Sequence, residues 1–135
     1  MTSSKFIVND YYELLALHRA LLESKFCDEP NDLDVSASPI VAKLHKQVLS
    51  ALVEADVDRK GDEAKEEWNE WLQLGTDRRE WKVAIKRAKN EELWENWDPR
   101  EKKTYVSVLL SPFVIDDKLI DEFVESVGVE DSSHQ

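Results

Sequence analysis

The sequence predicts a single all-α domain, a bundle of five or six helices. Apolar side chains recur at intervals of three and four residues in successive segments, which is the spacing of one helix face. Residues that cap or break helices lie between these segments, and the whole chain contains only 3 Gly and 4 Pro. A length of 135 residues suits one domain with its own core. We therefore expect one helical domain over residues 1–135, with frayed termini at 1–9 and 129–135.

Local start and stop signals place the helices along the chain. Either Asn9 or Asp10 can cap the first helix, Ser38 with Pro39 opens the second, and Asp98 opens the fifth. The predicted helices are Asp10–Phe26, Pro39–Ala55, Asp62–Leu74, Asp77–Asn96, Pro99–Leu110 and Asp117–Val127. The β-branched content of 104–110 leaves a short strand as an alternative there.

The stretch from Trp68 to Trp97 holds all five tryptophans and is predicted to be the centre of the fold. Gly75 follows an apolar run and is predicted to end a helix, because glycine enters left-handed conformations at low cost. Thr76 has the chemistry to cap the next helix. These signals predict a central tryptophan-rich antiparallel helical hairpin with a tight turn at Gly75.

The five indoles fall into two groups. Trp68, Trp71 and Trp81 lie on apolar stripes and are predicted to be core residues. Trp94 and Trp97 lie off the main stripe and are flanked by acidic residues. For these two we predict partly exposed rings that contact a partner, because tryptophan is enriched at interaction hot spots.

The net charge is −11, and it is unevenly distributed. Residues 76–103 contain nine Lys and Arg against seven Asp and Glu, a net of +2, so the rest of the chain carries −13. Such a field repels nucleic acid and anionic membranes over most of the surface and favours basic partners. Solubility alone is the alternative explanation for the acidity.

Cysteine usage and hydropathy indicate a cytoplasmic protein. The single cysteine, Cys27, cannot close an intramolecular disulfide, and its neighbours Asp28 and Glu29 disfavour a reactive thiolate. No apolar run approaches the roughly 20 residues that span a bilayer, and the first residues do not form the apolar stretch of a signal peptide. We therefore expect no contact with membranes.

The two internal histidines and an acidic loop are assigned structural roles. His18 lies within the apolar stripe of the first helix and is predicted to be a hydrogen-bonded core histidine. His45 lies beside the stripe of the second helix and is predicted to be at the core boundary. The segment 28–34 is rich in Asp, Asn and Pro and is predicted to be a solvated loop.

Residues 56–67 resemble the calcium-binding loop of EF-hand proteins. The acids that fit the pattern are Asp56, Asp58, Asp62 and Glu67, with Gly61 as the turn glycine. Lys60 puts a cation where the loop needs an oxygen ligand, and Glu63 replaces an apolar residue. We therefore expect no physiological calcium affinity, assign no metal ligand and expect no cofactor.

Two glutamate pairs at helical spacing, Glu63/Glu66 and Glu92/Glu95, suggest an enzyme as one alternative function. They resemble the ExxE pairs by which all-helical nucleotide pyrophosphohydrolases hold magnesium. The resemblance implies a magnesium-dependent nucleotide hydrolase, although the second motif of that family usually ends in Asp where this chain has Glu95. We find no catalytic motif and assign no catalytic residue.

Nucleic-acid binding is another alternative, through the basic helix at 78–89. Its cations are Arg78, Arg79, Lys82, Lys86, Arg87 and Lys89. They could follow a phosphate backbone, but the negative charge elsewhere opposes this. Pairing between this helix and the acidic helix at 62–70, within the chain or between subunits, would explain the same charges.

The favoured function is a non-enzymatic acidic domain that binds a basic protein, as inhibitors, immunity proteins, antitoxins and export chaperones do. The predicted partner-binding residues are Glu63, Glu66, Glu67 and Glu70 as charges, with Trp94 and Trp97 as apolar anchors. Self-association as a homo-oligomer through the same face is a competing use of these residues.

Overall fold

The computed structural model describes residues 6–27 and 35–129. Within these ranges the chain forms six α-helices and no strand, which confirms the predicted all-α class. The helices are α1 (Tyr11–Phe26), α2 (Pro39–Lys60), α3 (Glu63–Leu72), α4 (Arg79–Lys89), α5 (Pro99–Leu110) and α6 (Asp117–Gly128), with a 3₁₀ turn at Trp94–Asn96. None of the described helices is long and apolar enough to cross a membrane. The predicted loop at 28–34 and most of the predicted frayed termini lie outside the described residues.

Side-chain caps fix the starts of four described helices, α1, α2, α5 and α6. Asp10 accepts two backbone N–H bonds at the start of α1, and the Ser38 hydroxyl accepts one at the start of α2. Asp98 and Glu101 make both bonds of a capping box at α5. Residues 104–110 are therefore helical, and the alternative of a short strand there is wrong.

Helix α2 continues past its predicted end at Ala55 and stops at Lys60. Gly61 ends it with a φ of +88°, a conformation that glycine adopts at low cost. The Gly61 N–H donates to the carbonyl of Val57 (2.8 Å), which closes the last turn of the helix. The longer helix leaves only Gly61 and Asp62 between α2 and α3.

The connection between α3 and α4 differs from the predicted glycine turn. The chain extends after α3, and the Leu72 carbonyl accepts a hydrogen bond from the Val114 N–H (2.9 Å). Gly75 has no positive φ, and α4 begins at Arg79 without a side-chain cap, so the Gly75 turn and the Thr76 cap are wrong. Pairing with Val114 draws this segment towards the α5–α6 connection. As a result α3 packs mainly on α2, and α4 packs mainly on α6 and α5.

Two clusters of buried side chains form the core. The larger cluster includes Phe26, Trp81, Trp94, Val106, Leu109, Leu110, Phe113, Ile120 and Phe123. The smaller cluster, between α1 and α2, contains Leu14, Leu49 and Leu52. On α3, Trp68 packs against the smaller cluster and Trp71 against the larger, and their ring centroids are 5.6 Å apart. These two half-buried indoles therefore connect the two parts of the core.

Two cations inside the fold hold the end of α1 in place. Lys25 is fully buried, and its Nζ donates to the carbonyl oxygens of Val108 and Ser111 at the end of α5. Arg87 of α4 donates to the carbonyl oxygens of Lys25 and Cys27. Because the last carbonyls of a helix have no partner within it, a cation at this end satisfies them and interacts favourably with the helix dipole.

We expect the stability of the fold to depend on pH through Lys25. Burial lowers the pKa of Lys25 from 10.5 to about 7, and the nearby Lys46 and Arg87 add to this effect. Between these two values the unfolded state binds the proton and the folded state releases it, so the free energy of unfolding rises with pH. The carbonyl acceptors oppose the shift, so we expect a rise of about 1–2 kcal/mol from pH 7 to pH 9 in urea denaturation.

The control is Lys25→Met, which removes the titrating group and keeps a long apolar side chain. From pH 7 to pH 9 the free energy of unfolding of this variant should rise by less than that of the unmodified chain, because the variant has no Lys25 to titrate. An equal rise in the variant and in the unmodified chain would assign the effect to other groups.

Candidate functional site

Four glutamates form a continuous row along the exposed side of α3. This acidic stripe consists of Glu63, Glu66, Glu67 and Glu70, all exposed. Three ion pairs occur among the described residues: Arg59–Asp56, Arg78–Glu80 and Lys103–Asp117. None of them involves the acidic stripe. Its carboxylates therefore face solvent with no ion pair inside the described part of the chain.

The spacing of the acidic stripe lowers the intrinsic stability of α3. Four pairs in the stripe (63/66, 63/67, 66/70 and 67/70) are three or four residues apart, so their members lie beside each other on the helix surface. Like charges at this spacing destabilise a helix by about 0.2–0.5 kcal/mol per pair. Glu63 and Glu66 lie in the first turn, where the helix dipole favours negative charge and restores part of the lost stability. Glu70 lies near the C-terminal end, where the dipole gives no such stabilisation.

An open cleft of about 470 Å³ borders the acidic stripe and lies between α3, α1 and the end of α2. We call it the aromatic cleft, and it is lined by Tyr11, Leu15, His18, Arg19, Leu22, Asp56, Lys60, Glu67, Trp68 and Trp71. Glu67 belongs to both the acidic stripe and the cleft. The acidic stripe and the aromatic cleft are therefore contiguous.

Asp56 joins α2 to α3 at the wall of the aromatic cleft. The residue is 4% exposed, and its Oδ2 accepts a hydrogen bond from the Trp68 Nε1–H (2.8 Å). Its other oxygen, Oδ1, accepts no hydrogen bond and lies 3.7 Å from Nη1 of Arg59. The Asp56 carboxylate is thus a buried negative charge, and its closest partner is the indole N–H of Trp68.

The arrangement differs from the resemblance to an EF-hand loop. Asp56 and Asp58 lie within α2, so a twelve-residue loop does not form. Asp62 precedes α3 without a side-chain cap bond, and Glu67 lies in the middle of that helix. No group of three or more His, Cys, Asp or Glu side chains in residues 6–27 and 35–129 is arranged to hold a metal ion.

His18 and His45 form a buried hydrogen-bonded pair between α1 and α2. His18 Nδ1 and His45 Nε2 lie 2.9 Å apart, and the His18 ring packs nearly perpendicular to the rings of Trp68 and Trp71. Burial lowers the pKa of His45 to about 4 and also lowers the pKa of His18, with smaller contributions from neighbouring cations and the paired imidazole. Both rings are therefore neutral at pH 7. The prediction for His18 is confirmed, whereas the boundary position of His45 is wrong because its side chain is fully buried.

Trp94 is buried, with 4% of its surface exposed, so the predicted exposed anchor is wrong at this position. The helix that was expected to reach Asn96 ends at Lys89, and a turn with the 3₁₀ segment folds the ring onto α5. The centroid of Trp94 lies 6.0 Å from that of Tyr105 and 6.2 Å from that of Trp97. Trp97 is half-buried against the same core cluster.

The basic residues of α4 are used in part inside the protein. Arg78, just before the helix, donates to the Trp71 carbonyl (2.7 Å) and lies 4.7 Å from the Phe113 ring centroid. Arg87 is bonded to the end of α1. The remaining exposed cations are Arg79, Lys82, Lys86 and Lys89. No ion pair in the described residues joins α4 to the acidic stripe, so the expected pairing does not form within this part of the chain.

The two ExxE pairs differ in their backbone setting. Glu63 and Glu66 lie on α3, as the resemblance to nucleotide pyrophosphohydrolases requires. Glu92 lies in a turn and Glu95 in the 3₁₀ segment, so the second pair is not presented by an α-helix. The alternative hydrolase therefore lacks one of the two helical acid pairs on which the resemblance rests.

The aromatic cleft is not evident from the sequence pattern. The pattern assigns Tyr11, His18 and Trp68 to core faces and gives no sign that they gather beside Asp56. These contacts depend on the extra turn of α2, because that turn brings Asp56 to Trp68. The run from 40 to 60 contains neither glycine nor proline, which is the sequence signal for the longer helix.

No protein-family model matches the chain, and comparisons with curated proteins and with solved structures returned no match.

We expect Trp68→Phe to lower the free energy of unfolding by about 1–3 kcal/mol, because the buried Asp56 carboxylate loses its indole donor. Urea denaturation measures this value. Trp71→Phe is the matched control, since it shrinks a neighbouring indole without removing a hydrogen bond to Asp56. In an Asp56→Leu background, which offers the indole N–H no acceptor, the cost of Trp68→Phe should be smaller. Equal costs in both backgrounds would show that the bond adds no stability.

Proposed function

We propose that this chain is a non-enzymatic acidic protein-binding domain that engages a basic protein partner through α3. The single observation behind the proposal is the acidic stripe, whose charges form none of the ion pairs of the described chain. Because the stripe lowers helix stability, its presence is not explained by the fold. A basic partner would neutralise the stripe and remove this repulsion.

The aromatic cleft supports the same proposal. Trp68, Trp71 and Tyr11 are half-buried, so their rings remain partly accessible beside Glu67. Tryptophan and tyrosine are enriched at hot spots, where one end of the ring is packed and the other meets the partner. Because Trp94 is buried, we assign the role of apolar anchor to the cleft, and the half-buried Trp97 stays a predicted anchor.

The overall charge favours rapid association with a basic partner. A net charge of −11 produces a long-range field that steers cations towards the surface, and salt weakens this effect. A two-fold symmetric homodimer through α3 would bring acidic stripe against acidic stripe, which repulsion opposes. We therefore favour a different protein as the partner, and a cytoplasmic location for both.

We expect the acidic stripe to be required for partner capture. The variant Glu63→Gln/Glu66→Gln/Glu67→Gln/Glu70→Gln keeps side-chain size and removes four negative charges. This variant should capture less of the partner from a cytoplasmic extract at low salt. Its affinity for the purified partner should fall by at least about tenfold. The stability of the variant should stay within about 0.5 kcal/mol of the unmodified chain, because relief of repulsion offsets the lost dipole interaction.

The matched control removes four exposed acids elsewhere, as Glu95→Gln/Asp121→Asn/Glu122→Gln/Glu125→Gln. It has the same net charge as the stripe variant, so a difference in binding between the two variants reports the position of the removed charges and not their number. A basic partner should still bind this control at least several times more tightly than it binds the stripe variant. Equal losses in both variants would show that only net charge matters, and capture of no basic protein would contradict the proposal.

A further inference from the structure

The aromatic cleft combines ring faces with two carboxylates. Trp68 and Trp71 form one wall from α3, and Tyr11 contributes from α1. Asp56 places a buried negative charge in the wall, and Glu67 places an exposed one there. Its volume of about 470 Å³ lies within the usual range of ligand-binding clefts.

We propose that this cleft receives an arginine side chain of the basic partner. A planar guanidinium stacks on tryptophan and tyrosine faces, and its N–H groups form directed hydrogen bonds to carboxylates. Glu67 supplies the exposed acceptor, while Asp56 supplies negative potential from within the wall. The inference rests on the proposed function, because the arginine belongs to the protein that the acidic stripe attracts.

The chain's own arginines show that these groups accept a guanidinium. Arg59 Cζ lies 4.1 Å from the Tyr11 ring centroid, and its Nη1 lies 3.7 Å from Oδ1 of Asp56. Arg78 Cζ lies 5.3 Å from the Trp71 centroid. Arg59 therefore already combines an aromatic face with the Asp56 carboxylate, as the proposed ligand does. Because it uses the same groups, Arg59 competes with that ligand.

Two cations of the cleft oppose a positively charged ligand. Arg19 and Lys60 also line it, and both are exposed. Long charged side chains can turn their heads to solvent while their stems stay against the wall. His18 adds no charge at pH 7, because burial and Arg19 lower its pKa. Removing the Lys60 charge should therefore strengthen the binding of a cation and weaken the binding of an anion.

The test uses N-acetyl-arginine amide as the probe and the full chain as the receptor. Titration is followed by NMR through the indole N–H signals of Trp68 and Trp71, assigned with single Trp→Phe variants. N-acetyl-citrulline amide is the neutral control, since it has nearly the same shape without the charge. We expect the arginine probe to shift these two signals and to bind at least about threefold more tightly than citrulline.

Variants distinguish a cation site from nonspecific attraction. Glu67→Gln should weaken the arginine probe by about threefold, whereas Lys60→Gln and Arg59→Gln should each strengthen it by a similar factor. Lys65→Gln is the matched control, because Lys65 is exposed on α3 and does not line the cleft. It should change the affinity less than Lys60→Gln does.

The inference is overturned if citrulline binds as well as arginine, or if Lys60→Gln weakens the probe. Tighter binding of N-acetyl-glutamate amide would likewise overturn it, since that result assigns an anion to the cleft. Stripe-dependent capture of a basic partner without arginine binding would refute only this inference. Arginine binding without stripe-dependent capture would refute the proposed function and leave a guanidinium site.

Discussion

The hydrogen bond from the Trp68 indole to the Asp56 carboxylate fixes α3 on the end of α2. Only Gly61 and Asp62 separate the two helices, so this bond determines the rotation of α3 about its own axis. With Trp68 held inward, the acidic stripe on the opposite side of the helix must face solvent. The same rotation places Trp71 against the larger core cluster. One buried polar contact thus positions both the charged surface and the aromatic cleft.

Charges of the two signs have different structural roles in this protein. Lys25 is buried and Arg87 is half-buried, and both donate to backbone carbonyl oxygens, while Arg78 packs on aromatic rings. Arginine and lysine suit such positions because their long apolar stems can be buried along with their donors. The acidic stripe has no comparable internal partner in the described residues. The packing of cations inside the fold therefore increases the negative character of the surface that partners meet.

Stability and binding impose opposite demands on α3. A helix of alternating sign would be more stable in isolation than one with four glutamates at three- and four-residue spacing. Packing of Ala64, Trp68 and Trp71 on the rest of the fold compensates, since burial of large rings outweighs about 0.8–2 kcal/mol of repulsion from the four glutamate pairs. The tertiary structure thereby maintains a charge pattern that the helix alone would disfavour.

Near-neighbour information in the sequence determined the all-α class, the starts of α1, α2 and α5, and the acidic stripe. Caps and helical spacing act within a few residues, so they can be interpreted without knowledge of the fold. Only the tertiary structure decided that Trp94 is buried and that Arg87 binds the end of α1. It also decided that Asp56 accepts a hydrogen bond from Trp68 and does not belong to a calcium loop. Each of these outcomes depends on contacts between residues far apart in the chain, or on where a helix stops relative to a neighbour. The aromatic cleft arises from such contacts, since its walls come from three helices that only packing brings together.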